Sequence, residues 1–588
     1  MSGLGLVLSI AKDALAAQQI GVNVTAHNIA NVSTDGYSRQ TSVNEAKEPA
    51  PYAGLLLGRG VDTTQVLRTT DQFIEKQLRE RKSDMLSYQE LENYMQVLEG
   101  MFNENSESSI STMLSEFWNL WHDIANNPSG SPERIALYEH SILMSDQFDT
   151  LNTDLIQLQT DLTNAMNAGI NEINQITSEL AQVNSQLVGM ETGTSIANDL
   201  RDKRNTLVSE LGQYIDVKGF EQSNGTLTVV TARGCVLVCG NDSYNLVLGG
   251  DNGDRVMWKS DSGVVAGDIT EYITMGKLGG WLEMRDEIIE KYKLDLNAMA
   301  KEFIWSVNRQ HSQGVGLEAF NTVTGTYAVS DNGEELGTVD SGLDYYDKIS
   351  DGVFNVWIYD SSGAVVGGGP TVITVDSDSG GTTLTSIKEA IDAVDNISAT
   401  IATGGKLKID ADNGYTFAFS GDTSNVLAAL GINTFFTGTT AGGIGVNSKI
   451  GSDKNFIAAA QIDSAGSYAA GDNTNAIAIT DLQYTSMDIP QWTCNRIEGD
   501  TEGSMTASID DYYHSMISSI GIKSSSISRG RAFNAVMVNK IEETRDSISG
   551  VSLDEEMTNL IKFQNAFQAA AKLITISDEM LNTLLSVK

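Results

Sequence analysis

Five histidines, three cysteines and two aspartate-rich loops are the side chains with which this 588-residue chain could do chemistry, and their spacing argues against it. His27, His122, His140, His311 and His514 are scattered, and none stands near another at metal-ligand spacing. Cys235 and Cys239 share one face of a strand, but at ~3.3 Å per residue they lie roughly 13 Å apart, too far for a disulfide. No nearby histidine or cysteine completes a four-ligand site, so these two and Cys494 are expected to be buried apolar side chains. Asp376-Ser377-Asp378 and Asp410-Ala411-Asp412-Asn413-Gly414 have the look of calcium loops. Neither supplies the spaced glutamate of an EF-hand, and Asp-Asn-Gly between strands is ordinary turn chemistry. HExxH, GxSxG, P-loop and paired CxxC patterns are absent. Trp118, Trp121, Trp281 and Trp305 fall on helical faces and are expected in cores. No catalytic residue, metal or cofactor is expected.

The elements that position these residues are dominated by the two ends. Leu4, Leu8, Ala11, Leu15, Gln18, Val22, Thr25 and Ile29 recur at alternating steps of four and three, and so do Leu553, Met557, Leu560, Gln564, Phe567, Ala571, Ile574, Asp578, Leu581 and Leu585. Such stripes either cap the core of one domain or pack against neighbouring copies. Three details favour neighbours. Polar seam positions such as Gln18, Thr25, Gln564 and Asp578 fix register at a cost in stability. Alanines, among them Ala11, Ala14, Ala17, Ala26, Ala566 and Ala570, allow close approach on several faces. Ser552-Leu553-Asp554-Glu555 reads as a capping box that starts the second helix.

The length implies several domains. A formal net charge of -39 argues against a general affinity for nucleic acid or an anionic membrane surface. No run of about 20 apolar residues is available to span a bilayer, and no charged-then-apolar presequence opens the chain.

Helical periodicity runs from Asp71 to Leu98 and again, after a break at Asn126-Asn127-Pro128, through Leu151 to Leu187. Four-residue steps between Leu158 and Ile170 form a stutter. From about Gly219 the period becomes two, with Asn224-Gly225 as a hairpin turn. Helix returns from Trp281 to His311 and from Tyr512 to Ile548. Between them Val353–Tyr359, Thr371–Val375 and Tyr415–Phe419 alternate as strands, and Thr383–Ile391 and Ser424–Leu430 read as short helices. The expected fold is α+β and multidomain, with long terminal coiled-coil helices, a helical shaft and β-rich outer domains. The boundaries read as 1–68 with 546–588 for a terminal polymerisation domain, and 69–193 with 282–321 and 482–545 for the shaft. A small β-rich domain covers 194–281, and an outer β-rich insertion 322–481.

Asn28-Ile-Ala-Asn31-Val-Ser-Thr-Asp35-Gly36-Tyr37-Ser-Arg39 reads as a helix terminus: Asn31 and the Asp35-Gly36 turn stop the heptad and Tyr37 anchors the exit. This segment resembles the N-terminal signature of the bacterial flagellar axial proteins, which comprise rod, hook and hook-associated proteins. Asp199–Asn205, Gly280–Asp286, Asn308–His311, Gly471–Ala476 and Ser549–Met557 narrow the resemblance to the hook-associated members at the hook-filament junction, over nearly the whole chain.

The resemblance implies a non-enzymatic structural subunit that leaves through the flagellar type III export channel without a cleaved signal peptide and works outside the cell. Its implied partners are copies of itself in a ring or tubular layer, hook protein, the next hook-associated protein, and an export chaperone before secretion. Nucleic acid and membrane are not among them. The expected assembly interface is Leu4, Leu8, Ala11, Leu15, Val22, Asn28, Ile29, Asn31, Gly36 and Tyr37 with Leu553, Met557, Leu560, Phe567, Ala571, Ile574, Leu581 and Leu585. Met557, Leu560, Ile561, Phe567, Ile574 and Leu581 form the stripe a chaperone would mask. His27 and His311 are expected to orient backbone or pack at an interface. The alternatives are another axial subunit (hook protein or a filament-side hook-associated protein) or, from a different class, a secreted adhesin or enzyme domain carried by 322–481. An enzyme needs a convergent polar constellation there, which the sequence does not show.

Overall fold

The structure, a computed structural model, describes residues 3–52, 55–102, 109–191, 195–250, 253–259, 265–377 and 380–586. Among them the helices follow in chain order as α1 (Gly3–Ala30), α2 (Gln72–Met101), α3 (Ile110–Asn126), α4 (Ser131–Met190), α5 (Asn198–Tyr214), α6 (Gly276–Glu283), α7 (Glu290–Ser312), α8 (Leu384–Asp392), α9 (Val426–Ala429), α10 (Ser448–Ser452), α11 (Thr474–Thr480), α12 (Ile509–Ser549) and α13 (Leu553–Ser586). Long helices and several small antiparallel sheets make this an α+β multidomain chain, as the periodicities predict. The chain divides into two compact units: Met1–Met95 with Asp161–Met284 and Ser524–Lys588, and Gln96–Thr160 with Arg285–Lys523.

In the first unit, α1 is followed by a long hairpin of four strands, β1 (Gln40–Ala46), β2 (Ala50–Tyr52), β3 (Leu55–Leu57) and β4 (Val61–Arg68). β1 pairs antiparallel with β4 from Gln40↔Arg68 to Ala46↔Val61, and β2 with β3 from Ala50↔Leu57 to Tyr52↔Leu55. Helix α4 buries Met166, Ile170, Ile173, Leu180, Val183 and Leu187, and α5 buries Leu207, Val208 and Leu211. Two asparagines of α4 fasten the strands that follow. Asn174 donates to Leu246 O and accepts from its N–H, both at 2.8 Å, while Asn184 bonds Leu227 through both its donor and its acceptor, at 2.9 and 3.0 Å. A helix-borne amide thereby supplies the hydrogen bonds that the ends of short strands leave open. The Asn224-Gly225 turn joins strands Val217–Glu221 and Leu227–Thr231, with Gly225 at φ +85°. The motif residue Trp281 is buried, and its Nε1 donates to Glu90 Oε2 at 2.9 Å.

In the second unit the core is aromatic. Phe117, Trp118, Trp121, Phe148, Phe303, Phe435 and Phe436 are buried together, Phe117 lying 5.4 Å from Phe303 and Phe435 4.8 Å from Phe436 between ring centroids. Asn308 holds the two adjacent phenylalanines in place: its Oδ1 accepts the N–H groups of Phe435 and Phe436 at 2.9 and 2.8 Å. Two of its sheets are three-stranded, one ordered Thr371–Val375, Gly352–Asp360, Tyr415–Ser420 and the other Thr322–Thr324, Lys406–Ala411, Ile397–Ala402, and two are two-stranded, Phe436–Thr437 with Gly445–Val446 and Met487–Thr493 with Thr501–Ala507. Helix α8 opens on Thr383, whose side chain accepts from Ser386 N–H while the Ser386 hydroxyl accepts from Thr383 N–H.

One expectation needs revision. Of the cysteines only Cys494 is buried; Cys235 is half-buried and Cys239 is exposed, because the strand Val236–Cys239 ends at a turn of a small sheet that cannot cover it. The four-residue steps of the stutter lie within α4. Leu158, Leu162, Met166 and Ile170 are all buried in an unbroken helix.

Candidate assembly interface

Helix α1 ends at Ala30, where the chain turns through Asn31 N–H to His27 O at 3.1 Å, Thr34 N–H to Asn31 O at 2.9 Å and Tyr37 N–H to Thr34 O at 3.2 Å. Gly36 stands at φ +75°, and a Cβ there would collide with Thr206 Oγ1, so both backbone and neighbour demand glycine. Tyr37 then folds back and its hydroxyl donates to Asn28 Oδ1 at 2.7 Å.

Asn28 is the centre of the arrangement. It is buried, and its carboxamide uses all of its bonding capacity: Nδ2 donates to Gln40 O at 2.9 Å and to Glu556 Oε2 at 3.1 Å, and Oδ1 accepts from Tyr37 and from Gln40 N–H at 3.0 Å. One side chain thereby ties the end of α1, the start of β1 and the first turn of α13. The adjoining residues dock onto α5. Ser38 donates through its N–H and its hydroxyl to the Asp202 carboxylate at 3.1 and 2.9 Å, and Arg68 Nη1 reaches Asp202 Oδ1 at 2.7 Å. Gln40 Nε2 donates to Asp199 Oδ1 at 2.9 Å, and His27 Nε2 lies 3.3 Å from the same oxygen. On the other side Arg39 N–H donates to Ser549 O at 3.0 Å, and Arg39 Nη1 to Glu555 Oε2 at 2.8 Å. Three sequence motifs far apart in the chain, at 28–39, 199–205 and 549–557, therefore meet in one place.

The electrostatics follow from this gathering of carboxylates. Burial, and then the charges of Asp199, Asp202 and Glu556, hold the Tyr37 phenol well above the usual tyrosine range, so it stays a hydrogen-bond donor. Arg204, with Nη1 on Gly225 O at 2.7 Å and Nη2 on Glu221 Oε2 at 3.0 Å, clamps α5 to the Asn224-Gly225 hairpin; burial lowers its pKa. A cleft of about 920 Å³ opens beside the Asn31–Arg39 turn, bordered by Lys82, Arg545, Glu75, Glu542 and Glu555. Charges of both signs border it.

The terminal helices pair with each other. Gly21 faces Phe563 and Asn28 faces Glu556, so seven residues forward on α1 match seven backward on α13 and the helices are antiparallel. On α1 the buried residues are Ala11, Ala17, Gly21, Thr25 and Asn28; on α13 they are Glu556, Ala570 and Ser577, with Phe563 half-buried between. This seam is small and polar. On α13 it runs one position ahead of the apolar heptad: 556, 563, 570 and 577 face inward, not 557, 564, 571 and 578. The apolar stripe is consequently left outside. Leu553, Met557, Ile561, Phe567, Leu581 and Leu585 are exposed, Met557 by 54% and Leu585 by 66%, while Leu560, Ala571 and Ile574 are half-buried. On α1, Leu8 is exposed, Leu4, Leu15, Val22 and Ile29 are half-buried, and Ala11 is buried. Asn31 and Tyr37 are half-buried and Gly36 is exposed.

Sequence reasoning missed Gly21, Phe563, Gln40 and Glu556 as members of the seam. The spacing 556, 563, 570, 577 is a heptad, but its members are mixed, with Glu556 and Ser577 polar, Ala570 small and only Phe563 large and apolar. The capping box is realised in part: Glu555 N–H reaches Ser552 Oγ at 3.5 Å, but the Glu555 carboxylate turns to Arg39.

The other candidate chemistry resolves into structure. His311 is buried, with Nδ1 2.8 Å from Asn433 O and Nε2 accepting from Ala458 N–H at 2.9 Å, and burial lowers its pKa to about 4. It is a neutral ring joining two loops. The Cys494 thiol is pushed up to about 12, first by burial and then by Asp500. Asp410 accepts from Thr322 Oγ1 at 2.7 Å and pairs with Lys408, and Gly414 turns the chain at φ +91°. Asp378 lies outside the described residues. Among the described residues no group of three or more His, Cys, Asp or Glu could hold a metal ion, and no helix is long and apolar enough to cross a membrane.

Comparison with known proteins agrees with this geometry. Three family models match: flagella basal body rod protein over residues 8–37, the flagellar hook-associated protein FlgK helical domain over 95–325, and the flagellar basal body rod FlgEFG protein C-terminal region over 544–587. Flagellar hook-associated protein 1 of Bacillus subtilis is 24% identical, aligned over 100% of this chain and 99% of its own length. The proteins of the same name from Escherichia coli and Salmonella typhimurium are 26% and 25% identical, over 99% of this chain and 100% of theirs. The solved flagellar hook junction protein FlgK from Burkholderia pseudomallei shares the fold with a TM-score of 0.51 at 18% identity, covering 81% of this chain and 100% of that one.

Proposed function

We infer that this chain, which its full-length similarity to flagellar hook-associated protein 1 makes a flagellar hook-associated structural protein, serves at the hook-filament junction and assembles through its paired terminal helices. The observation that carries the assembly mode is the offset seam. The α1–α13 pair is closed by small and polar groups around the Phe563 ring, and a separate apolar stripe from Leu553 to Leu585 remains largely uncovered in the single subunit. A surface of that kind gains its burial from neighbours. Those neighbours are copies of the chain in a ring or tubular layer, bounded by hook protein and the next hook-associated protein. The exposed and half-buried residues expected at the interface keep that role in this reading, Ala11 and Asn28 being buried within the subunit, with 1–68 and 546–588 as the polymerisation domain, 69–193 with 282–321 and 482–545 as shaft, and 194–281 and 322–481 as outer domains. Before export the exposed part of the stripe, with Met557, Ile561, Phe567 and Leu581, is what a chaperone would cover. The chain acts outside the cell, exported without cleavage, and carries out no catalysis.

The experiment is electron microscopy of cells lacking the gene, with immunoblots of the medium. Hooks without filaments and flagellin released to the medium are expected, both restored by the intact gene. Normal filaments in the deletion strain would refute the junction role.

A further inference from the structure

The β1–β4 hairpin carries an apolar knob at one end and an apolar socket at the other. At the knob, Leu55 and Leu56 are 67% and 72% exposed and Leu57 is exposed as well. Among the described residues, strands β2 and β3 pair only with each other. A two-stranded ribbon of three residue pairs is marginal in water, and three consecutive bare leucines add nothing to its solubility. At the socket, Val24, Val66, Met190, Ile196 and Leu200 line a recess of about 420 Å³ with mainly apolar walls, and Asp199 stands at its rim with a side chain 69% exposed.

One copy cannot fill its own socket. The hairpin runs back along α1: Lys47 Nζ is 2.8 Å from Asp13 Oδ2, and Gly60 sits against Ile10, where a Cβ would lie 3.3 Å from the Ile10 Cα. Ile10 and Val24 are ~21 Å apart along the helix at ~1.5 Å per residue. The leucines lie on the far side of Gly60 from Val66 in the ladder.

We propose that the Leu55–Leu57 tip of one copy seats in the Val24–Val66–Met190–Leu200 socket of a second copy. The second copy is the occupant because knob and socket lie toward opposite ends of a hairpin that the Lys47–Asp13 pair and the Gly60–Ile10 contact hold along α1. Joining them leaves a free socket on one copy and a free knob on the other, which is a heterologous contact that propagates into a ring or helix instead of closing as a dimer. Charge points the same way: in a chain of net charge -39, exposed Arg59 follows the leucines and Asp199 edges the socket. The proposal rests on the axial reading above and adds a specific contact to it.

The test uses the full chain with exposed and half-buried thiols removed (Cys235→Ser, Cys239→Ser). Leu56→Cys and Met190→Cys are placed on separate copies expressed together in the deletion strain, and isolated flagella are treated with bismaleimidoethane. A two-chain product that requires both substitutions is expected. Leu56→Asp should lower incorporation at least about tenfold, equivalent to 1.4 kcal/mol, while Leu56→Met retains it. A product formed by Leu56→Cys alone, a product with a different axial protein, or none while immunogold shows both copies in the flagellum overturns the contact and leaves the axial reading standing. Absence from flagella of the chain with native Leu56 and Met190 overturns both.

Discussion

A Cβ placed on Gly21 would stand 2.8 Å from two ring carbons of Phe563, closer than van der Waals contact permits, so the hydrogen of this glycine sets the distance between α1 and α13. Glycine inside a helix costs about 1 kcal/mol relative to alanine, which makes its presence here a packing decision. The ring of Phe563 fills the gap, and Asn28 and Glu556, two turns along, lock the register that places it there. Packing fixes the spacing and the hydrogen bond fixes the slide.

Gly21→Val should therefore pry the terminal helices apart. Overpacking of this kind costs about 1–3 kcal/mol, and valine recovers little of the helix propensity that alanine would. Amide hydrogen exchange should show faster exchange over residues 556–577 in the variant and unchanged protection around Phe303. Phe563→Ala in the same chain should restore part of the protection, since it removes the clashing ring. Equal exchange in Gly21→Val and the parent would mean that the two helices are not held at this spacing.

Asn28→Asp keeps the shape of the side chain but sets a second carboxylate about 3 Å from Glu556 and withdraws a donor from Gln40 O. Leaving buried polar groups unsatisfied costs about 1–3 kcal/mol. Protonating either carboxyl removes the repulsion, so the loss should be larger at pH 8 than at pH 5. Urea denaturation of both proteins at the two pH values reads this directly. A loss independent of pH would place Glu556 elsewhere.

The sequence made the helices, the α+β class and the motif at 28–39 readable, because each is written in local periodicity or turn chemistry. What it hid was partnership. The heptad of apolar residues drew attention to Met557 and Phe567, while the contact within the subunit is made by Glu556, Phe563, Ala570 and Ser577, one position earlier. Small and polar residues leave no hydrophobic signal, and Glu556 becomes legible only once Asn28 is opposite it. Cys239 was misjudged for a related reason: exposure depends on what covers a strand, which period-two alternation does not state.

Two groups that burial shifts, the half-buried Asp216 and the buried His311, titrate in opposite senses. Burial raises Asp216 from 3.8 to about 6, so the folded chain binds its proton more tightly, and the stability it contributes at low pH is lost as the pH rises from about 4 through 6. Its Oδ1 is buried without a hydrogen-bond partner. Asp216→Asn should stabilise the first unit by about 1–2 kcal/mol at pH 8 and by almost nothing at pH 4.

For His311 the folded value of about 4 lies below the ordinary 6.5, so its stability is present above pH 6.5 and is lost as the pH falls toward 4, by roughly 3 kcal/mol in all. In His311→Gln that acid-side loss should be smaller, measured by the urea midpoint of the second unit between pH 7 and 4. An unchanged slope would show that the ring is not held neutral between Asn433 and Ala458.

The stripe on α13 separates folding from assembly. Met557 and Phe567 are 54% and 37% exposed in the subunit, so Met557→Asp and Phe567→Asp introduce charges that water can still reach, and each should change subunit stability by less than about 1 kcal/mol. In an assembled layer the same carboxylates would lose that water without gaining a cation, at a cost of several kcal/mol per ion. Both variants should therefore circulate as folded monomers with parental circular dichroism and melting, while cells release flagellin and carry hooks without filaments. Asn565→Asp, at a polar exposed position of the same helix outside the stripe, serves as the control for added charge and should assemble normally. Filaments of normal length in both Met557→Asp and Phe567→Asp would mean that the stripe faces solvent in the assembled flagellum, and the reading of α13 as an interface would fall with it.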